Sequence, residues 1–279
     1  MNPISFKKNP LKPSRPSGSP LVVHWVLFGL FLVQFALVWL RLWLPFPLFG
    51  DAGWPDALLI LLAGGTVLAS LARQLPGQNV MLASIVIAFI AGAVESAGAL
   101  TGIPFGPFDY MPNAGDQLFH PLPWAVPIVW IVVILSSRGV ARLALRPWRK
   151  TRAYGFWLMG STAGLVVALD LGLEPFASRV KRYWVWHPTR MSFDWYGAPW
   201  VNFLGWGVTT LLILAFVTPA LINKKPVKQP PDYHPLIVWL LLNVLFATGA
   251  FANGLWLASA VILLASAAAT VFAIRGAKW

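Results

Sequence analysis

Residues 80–101 read VMLASIVIAFIAGAVESAGALT, an apolar run that contains one charged residue, Glu95. A helix needs about 20 apolar residues to cross the hydrocarbon core of a bilayer. The chain has further runs of this kind, at roughly 21–44, 57–75, 122–143, 155–173, 199–222, 234–251 and 254–274. The pattern predicts an all-α, polytopic integral membrane bundle of about eight transmembrane helices.

The composition agrees with this fold class. Hydrophobic residues make up 58% of the 279 residues and charged residues only 11%, whereas a soluble domain is about 25% charged. The chain contains 16 Trp, a residue that prefers the membrane interface. It contains no Cys, which excludes disulfides, thiol catalysis and Cys-ligated metals.

The chain divides into a tail and a single membrane domain. Residues 1–20 are basic and rich in Pro and Ser, a composition typical of disorder. The apolar run at 21–44 is too long for a signal peptide and lacks a small-residue cleavage site, so we interpret it as a retained first helix. Residues 21–279 then form one transmembrane domain, with the informative motifs between about 80 and 210.

The distribution of cations predicts the orientation. With the N-terminus inside, 16 of the 21 Lys and Arg lie in the tail, the inner loops and the C-terminus, as the positive-inside rule requires. Both termini are therefore expected in the cytoplasm, and for a bacterial host the location is the inner membrane. The net charge of +12 is then explained by anionic membrane lipids, and nucleic acid is not an expected partner.

Few acids lie inside the apolar runs, and each costs ~2.5–3.5 kcal/mol at a helix centre. Glu95 is flanked by small residues that allow close helix contact. Asp170 and Glu174 are four residues apart and share a helical face, and Pro175 predicts that Glu174 is the last helical residue. The topology places Glu95, Asp170 and Asn202 at similar depths in the outer leaflet, where they predict one polar site. Two loops rich in aromatic residues, 102–121 and 174–199, are expected to cover it. The alternative is that each acid is a packed, hydrogen-bonded structural residue.

Other polar residues are less informative. Asp109 and Asp194 lie in loops, where solvated acids are common. The four His have no metal-ligand spacing, so no metal site is expected. No nucleotide-binding or GxSxG motif is present, nor is an acid cluster of the type that binds magnesium diphosphate.

Two stretches resemble a known family. ESAGALTGIPFGPFDY (95–110), and WVW (184–186) followed by DWYGAPWVNFLGW (194–206), resemble motifs of a membrane carotenoid-biosynthesis family. Its characterised members are carotenoid hydratases of the bisanhydrobacterioruberin hydratase and γ-carotene hydratase type. The resemblance spans about residues 80–210, with Phe108 where the family has Tyr and Glu174 where an Asp is usual.

The resemblance implies an enzyme that adds water across the terminal C1–C2 double bond of an acyclic carotenoid end group, without a cofactor. Such a reaction needs a protonated acid, a pocket that tolerates a tertiary cation and one water. Burial in apolar surroundings keeps a carboxylic acid protonated, and aromatic faces stabilise a cation. The candidate catalytic residues are Glu95, Asp170, Glu174 and Asp109. The candidate substrate-binding residues are Phe105, Tyr110, Trp184, Trp186, Tyr196, Asn202 and Trp206, with Asn202 suited to hold the water.

Other functions fit the same residues. A carotenoid cyclase or isomerase would use the same acid and cation chemistry but would exclude water. A transporter would also need intramembrane acids, together with a path to both membrane faces, and the inner half of the predicted bundle offers few polar residues. A non-catalytic assembly subunit would have no need for intact acids in both motifs. The expected partners are a lipid-soluble carotenoid, membrane lipids and other enzymes of the pathway.

Overall fold

The computed structural model describes residues 19–44, 54–189, 193–222 and 230–279. Most of the predicted tail (1–20) lies outside these residues. The described part contains eight α-helices, and seven of them are long and apolar enough to cross a membrane. The prediction of an all-α polytopic membrane bundle is confirmed. The helices are α1 (Ser19–Leu40), α2 (Trp54–Ala72), α3 (Gly77–Thr101), α4 (Ala125–Ala144), α5 (Tyr154–Pro175), α6 (Trp200–Val217), α7 (His234–Ala252) and α8 (Trp256–Ala277).

Helix α4 lies at the centre of the bundle and packs against α2, α3, α5, α7 and α8. Its residues are apolar on nearly every face, which is the pattern of a fully surrounded helix. Trp130, Val132 and Ile134 have no exposed surface. Helix α1 packs on α2 and exposes much of its apolar surface, as expected for a helix that faces lipid.

The two ends of the bundle differ in chemistry. The start of α1, the end of α2 and the start of α7 meet where His24 contacts His234 and Arg73 pairs with Asp232. The last turn of α8 approaches the last turn of α4, because Gly276 faces the backbone of residues 143–144. Both termini of the helical domain therefore lie at one end, which we call the basic end. Glu95, Asp170 and Glu174 lie near the C-terminal ends of α3 and α5, which are at the other end of the bundle.

Helix α3 ends at Gly102, and the chain then turns back over the bundle. Gly102 has φ 75° and its N–H donates to the carbonyl of Gly98, which is the left-handed cap that glycine adopts at least cost. The loop that follows packs Phe105 into the space between α3 and α6. A Cβ atom at Gly98 or Gly205 would lie 2.6 or 2.7 Å from the Phe105 ring, so both helices leave room for this ring by having glycine there.

The described parts of the two aromatic loops fold over the end opposite the basic end. Strand β1 (Phe108–Tyr110) pairs antiparallel with β4 (Trp184–Trp186), with Phe108 opposite Trp186 and Tyr110 opposite Trp184. Two further short ladders join β2 (Gln117–Phe119) to β3 (Leu122–Pro123) and β5 (Asp194–Trp195) to β6 (Ala198–Pro199). Since side chains alternate along a strand, the β1–β4 ladder directs these four rings to one face.

The end of α5 differs from the sequence prediction. Glu174 was expected to be the last helical residue, but α5 includes Pro175 and continues into a π-helical turn, Phe176–Val180. Proline has no N–H to donate four residues back, so the carbonyl of Leu171 needs another donor. The indole of Trp195 supplies it, with Nε1 2.8 Å from that oxygen. The helix therefore passes through the proline, and Glu174 stays inside the bundle.

Candidate active site

Three polar side chains from α5 and α6 form a buried cluster. The amide nitrogen of Asn202 donates to Asp170 Oδ2 at 3.0 Å and to Glu174 Oε1 at 2.9 Å. Asp170 and Glu174 can share this donor because they lie one turn apart on α5, while Asn202 lies in the first turn of α6. Each of the three residues is at most 2% exposed.

The second oxygen of Glu174 is bound from the β1–β4 ladder. Trp184 Nε1 and Trp186 Nε1 both donate to Glu174 Oε2, at 3.0 and 2.9 Å. The two Trp are separated by one residue in the strand and therefore point to the same face. With Asn202, Glu174 accepts three hydrogen bonds, and hydrogen bonds of this kind stabilise the charged form of a carboxyl group.

Glu95 is bound by an indole and a phenol. Trp130 Nε1 on α4 donates to Glu95 Oε1 at 2.8 Å, and the Tyr110 hydroxyl donates to Glu95 Oε2 at 2.8 Å. Burial and the neighbouring Glu95 carboxyl raise the pKa of Tyr110 well above its ordinary value, so the phenol keeps its proton. Glu95 is 6% exposed and has two donors, where Glu174 has three.

A cavity lies between these carboxyl groups. It has about 960 Å³ of space not filled by atoms, its opening included. Glu95, Glu174 and Asn202 line it, whereas Asp170 is not a lining residue and is joined to the site through Asn202. The rest of the wall is mainly aromatic and aliphatic and includes Phe105, Phe108, Tyr110, Trp130, Trp184, Trp186, Trp206, Leu242, Leu245 and Phe246.

Two stacked indoles form part of this wall. The rings of Trp130 and Trp206 lie 4.1 Å apart between centroids and are tilted by 16°. The same Trp130 that binds Glu95 thus presents its face to Trp206, and the stack fixes the direction of the indole N–H. Aromatic faces of this kind attract a cation by ~0.5–2 kcal/mol each, more when water is excluded.

A charged pair includes one residue of the cavity wall. Asp56, in the first turn of α2, accepts from Lys181 Nζ and from the Tyr183 hydroxyl, both at 2.8 Å. Burial and Asp56 raise the pKa of Tyr183 well above its ordinary value. Asp56 and Tyr183 both line the cavity. The pair ties α2 to the turn after α5 and so borders the site on that side.

The structure brings most of the predicted site residues together. Glu95, Glu174, Phe105, Tyr110, Trp184, Trp186, Asn202 and Trp206 all line one cavity, and Asp170 is joined to them through Asn202. Asp109 and Tyr196 are not brought to this cavity. Strand alternation turns Asp109 outward, where it pairs with His187 at 2.7 Å and its side chain is 66% exposed. Tyr196 lies beside α8, where its hydroxyl accepts from the Ala258 N–H at 3.3 Å.

Several site residues were missed from the sequence, and Trp130 is the most important. Its signal was available, because a Trp in the middle of an apolar run is not at the interface that Trp prefers. Asp56 stands just before the predicted apolar run at 57–75, where an acid is common. Across the described ranges, the structure has no group of three or more His, Asp or Glu that could hold a metal ion.

The family profile for carotenoid biosynthesis proteins matches residues 56–274, which is most of the chain. The chain therefore belongs to this family and is an integral membrane protein of carotenoid biosynthesis.

One curated relative adds a more specific similarity. The bisanhydrobacterioruberin hydratase of the archaeon Haloarcula japonica is 27% identical over 138 residues. The match covers 48% of this chain and 44% of that protein, so the chain spans less than half the length of this relative. No solved structure matches the chain.

Proposed function

We propose that the protein is a carotenoid hydratase that adds water across the terminal C1–C2 double bond of an acyclic end group. The observation that carries this proposal is the pair of differently bound carboxyl groups, Glu95 and Glu174, in one apolar, aromatic-walled cavity. The similarity to a protein named as a hydratase supports the same reaction.

Glu95 is the proposed proton donor. Protonation at C2 leaves a tertiary cation at C1, and the donor must hold its proton near neutral pH. Of the two lining carboxyl groups, Glu95 has fewer hydrogen-bond donors to stabilise its charged form. A carboxyl group enclosed by apolar walls is also the type that enzymes keep protonated for acid catalysis.

Glu174 is the proposed partner of the cation and of the water. Its three donors suit it to carry the negative charge that faces the cation. Trp130 and Trp206 present π faces at the same cavity, which adds attraction. Trp184 and Trp186 fix the position of Glu174, so the charge is placed before the cation forms.

The water is proposed to bind beside Asn202. After Glu95 has protonated C2, the oxygen of this water attacks C1. The proton that the water loses passes to Glu174. Return of the proton from Glu174 to Glu95 closes the cycle, and the net change is the addition of one water. Asp170 shares the Asn202 amide and is proposed to position it. We propose that Asp109 takes no part in the reaction, because it faces outward and pairs with His187 outside the cavity, and that Tyr196 anchors its loop on α8.

A carotenoid cyclase or isomerase is the second candidate, since it would use the same acid and cation pocket. A transporter is less well supported, because the cavity beside Glu95 and the cavity at the basic end share no lining residue. On α4 the first lining ends at Val133 and the second begins at Leu135, both apolar.

The test is expression of the full chain in cells that accumulate an acyclic carotenoid such as lycopene, with mass spectrometry of the extracted pigments. A hydratase gives a product heavier by one water or by two. A product of unchanged mass but changed retention supports a cyclase or isomerase. Unchanged pigment on several acyclic carotenoids, with the protein present in the membrane, rejects both enzymatic proposals.

A further inference from the structure

A second, larger cavity opens at the basic end and plays no part in the proposed reaction. It has about 2310 Å³ of space not filled by atoms, its opening included. Helices α2, α4, α5, α6 and α7 contribute to its wall. Five cations line it, and they are Arg138, Arg142, Arg146, Arg149 and Lys150.

Arg138 distinguishes this cavity from an ordinary basic loop. The positive-inside rule requires cations near the membrane surface, and Arg142, Arg149 and Lys150 are exposed there. Arg138 instead lies within α4, is only 6% exposed and lines the cavity. A charge inside a membrane helix is costly, so its placement calls for a partner.

The described protein atoms supply little to balance that charge. Arg138 donates from Nη2 to the carbonyl of Leu221 at 3.2 Å, and no carboxylate pairs with it among the residues that the structure describes. A guanidinium has five N–H donors. Its neighbour Arg142 donates to Gln74, a neutral acceptor, at 3.1 Å.

One carboxylate, Asp232, lines the cavity in the described ranges, and neighbouring side chains balance its charge. Asp232 pairs with Arg73 at 3.2 Å and with His234 at 2.7 Å, and it accepts from Ser70. Burial alone would raise the pKa of Asp232, but the bonds from His234 and Ser70 and the charge of Arg73 hold it well below its ordinary value. The cavity therefore carries a clear excess of positive charge.

The deeper wall of the cavity is apolar and includes Leu135, Leu158 and Leu214. A basic rim above an apolar wall matches a molecule with an anionic head and a hydrocarbon chain. We propose that this cavity binds an anionic phospholipid, with its phosphate at Arg138 and Arg142 and one acyl chain along the apolar wall. Arginine is well suited to phosphate because its planar donors match two oxygens at once.

The test uses native mass spectrometry of the purified full chain in detergent, with phosphatidylglycerol and phosphatidylcholine added at equal concentration. Phosphatidylglycerol should be retained in preference. The rim variant Arg142→Gln/Arg149→Gln/Lys150→Gln should weaken its binding by about fivefold per charge, or about a hundredfold in all.

A matched control removes three cations from the same end that do not line the cavity. The variant Arg152→Gln/Arg275→Gln/Lys278→Gln loses the same charge, and all three side chains are exposed. It should retain phosphatidylglycerol within about threefold of the parent, since charge outside the cavity acts through screened solvent. Tryptophan fluorescence and size-exclusion profiles establish that each variant is folded.

Three results would overturn the proposal. The first is equal retention of the two lipids by the parent chain. The second is an equal loss in the rim and control variants, which would mean that general surface charge attracts the lipid. The third is binding of soluble glycerol phosphate as tightly as phosphatidylglycerol, which would mean that the apolar wall holds no chain.

Discussion

The substitution Glu95→Gln removes the acidic proton of this residue while keeping the size and the contacts of its side chain. The structure gives Glu95 one donor on each oxygen, Trp130 on Oε1 and Tyr110 on Oε2. A Gln side chain can keep its oxygen toward Trp130, whose indole can only donate, and turn its NH₂ toward Tyr110, whose hydroxyl can also accept. The variant is therefore expected to fold with both neighbours in place.

The substitution should have a small effect on stability and a large effect on the catalytic rate. Because Glu95 is proposed to be protonated, Glu95→Gln exchanges neutral hydrogen bonds for other neutral ones, which costs about 1 kcal/mol or less of stability. A general acid contributes about 10²- to 10⁴-fold to rate, so we expect the turnover of Glu95→Gln to fall by at least about a hundredfold, equivalent to about 2.7 kcal/mol in the barrier. Substrate binding should change little, because the cavity wall is otherwise preserved.

The assay is the initial rate of product formation by purified protein in detergent micelles, with an acyclic carotenoid as substrate and product separated by chromatography. The matched control is Asp109→Asn, which makes the same carboxyl-to-amide change outside the cavity and should stay within about twofold of the parent. If folded Glu95→Gln retains a third or more of the parent rate, Glu95 is not the proton donor.

The double variant Trp184→Phe/Trp186→Phe removes two donors from Glu174 while keeping aromatic rings, and kcat should fall by about tenfold or more for each charge-assisted bond lost; a change in KM alone would contradict a role in placing the charge. Asp109→Asn should change the free energy of unfolding by less than about 0.5 kcal/mol, since its contact with His187 is exposed, and a larger loss in a melting experiment would show that this contact stabilises the fold. Because the pKa of Asp232 is lowered in the fold, its contribution to stability is present above its ordinary pKa of 3.8 and is lost as the pH falls below it; melting curves from pH 6 to pH 3 should show this loss in the parent and a smaller one in Asp232→Asn.

The helices were predictable because a bilayer leaves the sequence little choice. A segment that crosses it must satisfy its own backbone and be apolar over about 20 residues, and each predicted run matches a helix to within a few residues. The sequence also predicted that Glu95, Asp170 and Asn202 lie at similar depths. Glu95 and Asn202 line one cavity, and Asp170 is bonded to Asn202. No knowledge of side-chain geometry was needed for either prediction.

The details of the site depend on long-range contacts that no local pattern specifies. The pairing of Phe108–Tyr110 with Trp184–Trp186 joins segments more than seventy residues apart, and this register sends Asp109 outward. The continuation of α5 through Pro175 required a donor from Trp195, which lies beyond the helix. The sequence shows that Trp130 lies inside an apolar run, but its bond to Glu95 depends on which helix α4 faces at that depth.

The most direct test of the proposed reaction is the source of the added atoms. Purified protein is incubated with an acyclic carotenoid in H₂¹⁸O, and separately in D₂O, and the product is analysed by mass spectrometry. Addition of water through Glu95 and Glu174 predicts one ¹⁸O atom in the new hydroxyl and one deuterium on the adjacent carbon. A product that carries deuterium but no ¹⁸O, or neither label, would contradict hydration and favour an isomerisation or cyclisation in the same cavity.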